Sequence, residues 1–127
     1  MTRTHRIVSP VDGSIVAERP LADDAALDAA LAAAREAQRA WRATPIPARA
    51  EILTRAVDAM LAMADEIVPE LAWQMGRPIR YGMGELRGFE ERARHMIAIA
   101  EEALAPIRPA AKEGFTRFIA REPLGTV

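Results

Sequence analysis

The stretch "FTRFIAREPLGTV", Phe115 to Val127, decides how this chain is read. Its alternating character predicts a strand over about 114–122, turned at Pro123 and setting off again through Leu124 to Val127. A strand needs a neighbour to satisfy its backbone N–H and C=O groups. No residue beyond Val127 supplies one. Either the 127 residues carry a free tail, or a larger protein is cut at this point.

Working back toward the N-terminus, the pattern is helical. Phe89, Ala93, Met96, Ile97, Ala100 and Leu104 form a stripe at helical spacing, which predicts a long helix over about 79–105, closed by Pro106 and Pro109. The segment "MADEIVPELAWQMG" predicts a helix over 65–75 with Asp65 as its cap, so that Pro69 falls in a first turn where it is tolerated. A further helix is expected over 47–64. Another is expected over 23–43, capped by Asp23 or Asp24, with Leu27, Leu31, Ala34, Gln38 and Trp41 on one face. Ahead of these, "RIVSPVDGSIVAERP" reads as short strands within about 6–20 around an Asp12-Gly13 turn.

Hydrophobic residues make up 50 %, which argues against disorder. Net charge is −1, and 16 of the 17 basic residues are arginines interleaved with acids, as in "RGFEERARH". A nucleic-acid surface needs its basic residues gathered without that neutralisation, so no nucleic-acid partner is expected. No apolar run approaches the roughly 18 residues of a membrane span, and "MTRTHRIVSP" has no signal-peptide core. The expectation is a soluble cytoplasmic protein with no membrane partner.

The chain has no cysteine, which excludes a thiol nucleophile and thiolate metal sites within it. Ser9 and Ser14 lie in the turn-rich N-terminus outside any G-x-S-x-G elbow, and His5 and His95 flank the helical region from opposite sides. Glu85, Glu90 and Glu91 suggest a carboxylate cluster. However, Glu91 and His95 at i, i+4 read as a solvated contact, and no metal ligand set is expected. Gly82, Gly84 and Gly88 in "GMGELRG" mimic a dinucleotide fingerprint. That fingerprint needs a preceding strand to deliver pyrophosphate to a helix N-terminus. Here "GRPIRY" precedes it, and the expected role is a glycine-loosened start to the long helix. From the residues alone, no catalytic, cofactor-binding or metal residue is assigned.

Four stretches taken in order resemble the N-terminal part of the aldehyde dehydrogenase superfamily. "SPVDGSIVAERPLA" is similar to its opening N-P-x-x-G segment. "ALDAALAAAREAQRAWRATPIPARAEIL" is similar to its first helix and the arginine opening the next. "WQMGRPI" resembles its E-x-G-K-P, and "FIAREPLGTV" its R-x-P-x-G-V strand. The resemblance implies an α/β, Rossmann-like fold, of which this segment is the mostly helical part with short N-terminal strands and one late strand. It implies oxidation of an aldehyde to a carboxylic acid through a cysteine thiohemiacetal, with NAD or NADP as cofactor of the complete protein. The catalytic cysteine and nucleotide-binding loops would lie beyond Val127. The expected partners are then the remainder of the same polypeptide and, in the complete protein, further copies of itself. By resemblance Leu86 and Phe89 border the aldehyde tunnel. Gln74 stands where the family often has an acid that helps hold a structural monovalent cation. The alternative is a stand-alone helical protein-interaction module. It would leave the terminal strand unpaired and apolar helix faces in water.

Overall fold

The computed structural model describes residues 3–127, beginning with an antiparallel hairpin of β1 (Thr4–Val8) and β2 (Ile15–Pro20). Ile7 pairs with Ala17, and a bulge between Ile7 and Val8 shifts the register so that Val8 faces Ile15. The connecting loop is closed by the Ser9 N–H donating to Ser14 O at 2.8 Å and the Gly13 N–H to Ser9 O at 2.9 Å. Gly13 takes φ +77°, the left-handed value that makes Asp-Gly an effective turn dipeptide. Ser9 is buried beneath the loop, where its Oγ accepts from the Val11 N–H.

Four helices follow: α1 (Asp24–Ala43), α2 (Ile46–Ala62), α3 (Ala64–Met75) and α4 (Ile79–Leu104). Asp23 caps α1, its Oδ1 accepting from the Ala26 N–H at 2.9 Å, as an aspartate at this position should. Pro47 sits in the first turn of α2, where its missing N–H costs nothing. α3 ends on Gly76 at φ +69°, whose N–H donates to Ala72 O.

Two expectations about α3 are corrected. Its N-cap is Met63, with no side-chain cap hydrogen bond, and Asp65 lies inside the first turn. The Met63 carbonyl instead receives the Glu66 and Ile67 N–H groups, so the chain passes from α2 to α3 through a single residue. Pro69 therefore sits within the helix rather than in its first turn.

The late strand over 114–122 is also corrected. Residues 105–127 form no ladder, only isolated antiparallel bridges between Ile107 and Ile119 and between Lys112 and Phe115. A strand persists only beside a partner, and here the one available is the chain's own return from Pro106.

α2, α3 and α4 pack on one another, and among the described residues the buried apolar side chains are Val57 of α2 and Leu86 of α4. Gly82 of α4 is buried against α3, where a Cβ would meet Val68 Cγ1 at 2.5 Å. This glycine is a close-approach residue inside a helix rather than a loosened start to one. α1 stands apart: it has no buried residue, and Leu27 and Leu31 on its apolar face are half exposed. No helix among the described residues is long and apolar enough to cross a membrane.

Candidate functional site

The periodicity that made α4 legible puts Phe89, Ala93, Met96 and Ile97 on the side facing α2. There Leu53, Val57 and Met60 stand opposite. Between the helices runs an open groove of about 510 Å³, with Trp41 of α1 at its mouth. Its lining carries no carboxylate, imidazole, hydroxyl or thiol, and Arg49 is its sole charge. That charge is fully engaged. Arg49 Nε donates to Thr44 O at 2.7 Å and Nη2 to Arg42 O at 3.1 Å, while the guanidinium lies 5.6 Å from the centre of the Trp41 ring. The groove can bury apolar surface, and its lining offers no acid, base or nucleophile for a reaction.

The rim of the groove is held by ions. Arg94 of α4 reaches Asp58 of α2 at 2.6 Å and Glu90 of its own helix at 2.9 Å. The hydrogen bonds it donates to Asp58 and then to Glu90 raise its pKa above the ordinary arginine value. Glu85 is bound by Arg77 at 2.5 Å. Two of the three carboxylates suggested as a cluster are thus divided between separate arginines.

Phe89 lines the groove; Leu86, one turn earlier, is buried at 3 % exposure and does not. The two side chains named as tunnel residues are therefore not brought to one cavity. His5 and His95 are exposed on β1 and α4 respectively, and Ser9 and Ser14 remain in the hairpin loop. Gln74 lines a second, shallower hollow of about 400 Å³ with Asp12, Ser14, Glu70 and Trp73. Its amide nitrogen donates to Glu70 Oε2 at 3.4 Å. Within this hollow Asp12 Oδ1 accepts from both the Ser14 N–H and Oγ–H, which lowers the Asp12 pKa below the usual carboxylate value.

Gly82, Gly84 and Gly88 all lie within α4, with Pro78 and no strand ahead of it. Val68 closes the space over Gly82, and Arg92 lies against Gly88. This is not a phosphate-cradling loop.

Sequence reasoning missed two structural roles. The Arg49 clamp could have been suspected from an arginine placed just after the "TPIP" break. A glycine at a helix interior, one or two turns from an apolar face, is the signal that could have marked Gly82 as a packing residue.

The hairpin, helices and their order recur in solved structures of Rossmann-like α/β enzymes. The NAD-dependent benzaldehyde dehydrogenase from Corynebacterium glutamicum is 28 % identical with a TM-score of 0.76, over 88 % of this chain and 24 % of that one. The NADP-dependent glyceraldehyde-3-phosphate dehydrogenase from Bacillus halodurans C-125, crystallised with NADP, shares the fold with a TM-score of 0.82 at 22 % identity. That match covers 97 % of this chain and 27 % of the other. In sequence, malonate-semialdehyde dehydrogenase 2 of Geobacillus thermodenitrificans (strain NG80-2) is 30 % identical over 121 residues. The chain belongs to the aldehyde dehydrogenase family, whose model matches residues 1–127. That match covers 95 % of this chain but only 25 % of the length of the Geobacillus relative.

Proposed function

We propose that this chain is the N-terminal segment of an NAD(P)-dependent aldehyde dehydrogenase, and that alone it is not catalytic. The observation that carries the proposal is the family match over residues 1–127 of a chain that contains no cysteine. The complete enzyme would oxidise an aldehyde to a carboxylic acid through a cysteine thiohemiacetal, with NAD or NADP reduced. Both the thiol and the nucleotide site belong to polypeptide outside these residues.

The segment contributes apolar scaffold. Phe89 forms part of the wall along which an aldehyde travels, and Leu86 packs behind it in α4. The complete protein is cytoplasmic and assembles with further copies of itself. Gln74 is a neutral residue at the family's cation position, and no metal is assigned to the segment.

The test has two parts. The intact mass of the natural gene product should be several-fold above 13.9 kDa. The purified 127-residue chain, offered aliphatic and aromatic aldehydes with NAD+ or NADP+, should form no NAD(P)H. Turnover by the isolated chain overturns the proposal, and so does a natural product of 13.9 kDa.

A further inference from the structure

Two contacts of different kind bracket Phe89 on α4. On its N-terminal side, Gly82 lies so close to α3 that a Cβ would meet Val68 Cγ1 at 2.5 Å. On its C-terminal side, Arg94 reaches across to α2, its Nη2 donating to Asp58 Oδ1 at 2.6 Å. Among the described residues this is the one ion pair that joins two helices. The same guanidinium is held by Glu90, whose Oε1 accepts from Nε at 2.9 Å.

We propose that Arg94 is a positioning residue for aldehyde binding. By tying α4 to Asp58 it fixes the rotation of α4 about its own axis, and with it the place of the Phe89 ring in the wall of the aldehyde path. This rests on the reading above that Phe89 lines that path. Consecutive residues of a helix are turned by about 100°, so Phe89 and Ala93 run beside Glu90 and Arg94 on neighbouring rows of α4. A turn of the helix that loosens Arg94 from Asp58 therefore carries Phe89 with it. Asp58 directly follows Val57, so the anchor sits where burial already holds α2 in place.

The exposure of the pair decides which effect it can have. Arg94 and Asp58 keep 41 % and 57 % of their side-chain surface, and an ion pair that open adds little to stability. Geometry is another matter. The guanidinium is planar, and its Nε and Nη2 serve two carboxylates on two helices at once, a rigid fork that a lysine ammonium does not reproduce. The pair thus sets direction where burial leaves it free, since Phe89 is only half-buried and lines an open groove.

Steady-state kinetics of the complete gene product test the inference, with propanal, hexanal and benzaldehyde as aldehydes of increasing bulk. Arg94→Met and Asp58→Asn should each change the ratio of KM between benzaldehyde and propanal by about fivefold. The kcat for propanal and the KM for NAD+ or NADP+ should stay within about twofold. The double variant should do no worse than either single one, because both break the same link. Arg94→Lys should fall between, keeping the charge without the fork. An unchanged ratio, or a uniform loss across aldehydes and cofactor, overturns the positioning role. Phe89→Ala separates the inference from the reading beneath it. If that variant shifts the ratio and Arg94→Met does not, the wall stands and the inference falls. If Phe89→Ala leaves the ratio unchanged, the wall falls and takes the inference with it. A gene product that turns over no aldehyde removes the proposed function as well.

Discussion

Gly82 on α4 faces Val68 on α3 so closely that a Cβ at position 82 would stand 2.5 Å from Val68 Cγ1. Two helices come together there because one of them has no side chain at the contact. Gly84, two residues on, has nothing within 4 Å of its would-be Cβ. Gly82→Ala should therefore destabilise the α3–α4 pair by about 1–2 kcal/mol, the cost of overpacking less the helix-propensity gain. Gly84→Ala should stabilise by about 0.5–1 kcal/mol through the same propensity without the clash. Urea titrations of helical ellipticity on the two variants should shift their midpoints in opposite directions.

Gly76 combines a left-handed φ of +69° with the Pro10 Cγ only 3.0 Å from its would-be Cβ. Gly76→Ala should cost about 1–2 kcal/mol from backbone conformation alone, with an added clash where the hairpin loop meets the end of α3. A Pro10→Ala change in the Gly76→Ala background should recover the clash and not the backbone strain. A double-mutant cycle on the urea midpoint would separate them.

Asp12 accepts hydrogen bonds from the Ser14 hydroxyl and N–H, and its pKa is lowered as a result. The folded value lies below the unfolded one, so the hairpin loop is supported above the unfolded pKa. That support is lost as pH falls through the folded value. Carbon-detected NMR titration should find Asp12 titrating below the ordinary carboxylate range. Ser14→Ala should bring it back up, because the hydroxyl is the largest contributor. An unchanged Asp12 titration in that variant would break the assignment.

The isolated chain should bind an apolar dye and melt broadly, because its apolar faces lack cover. Met96→Glu, which places a carboxylate in the groove at an exposed position, should reduce dye fluorescence by at least half with little change in helicity. A sharp two-state melt with no dye binding would favour a self-sufficient helical module instead.

How much of this was legible follows from the range of each interaction. α1 and α4 were readable within a residue or so, because their stripes repeat locally and Asp23 caps as its chemistry predicts. The α2–α3 junction was not, because Met63 is held by backbone bonds that no side chain advertises. The strand over 114–122 failed for a different reason. Strand character is a statement about neighbours, and Ile119 finds one only at Ile107. Phe89 and Leu86 share a helix and were assigned one role. One turn of α4 nevertheless separates a groove residue from a buried one, a distinction set by what α2 and α3 place opposite each.

Arg49 carries one more consequence. By gripping the carbonyls of Arg42 and Thr44 at the end of α1 from the first turn of α2, it helps fix the direction in which α1 projects, beside the Arg42–Glu122 ion pair at 2.7 Å. α1 is thereby a splint set before anything rests on it. Its apolar side is already oriented, so a covering surface need not bear the entropy of aligning twenty residues when it arrives. Removing that guanidinium would leave α1 helical but less firmly aimed. The loss would show in the speed of assembly before it showed in the finished fold.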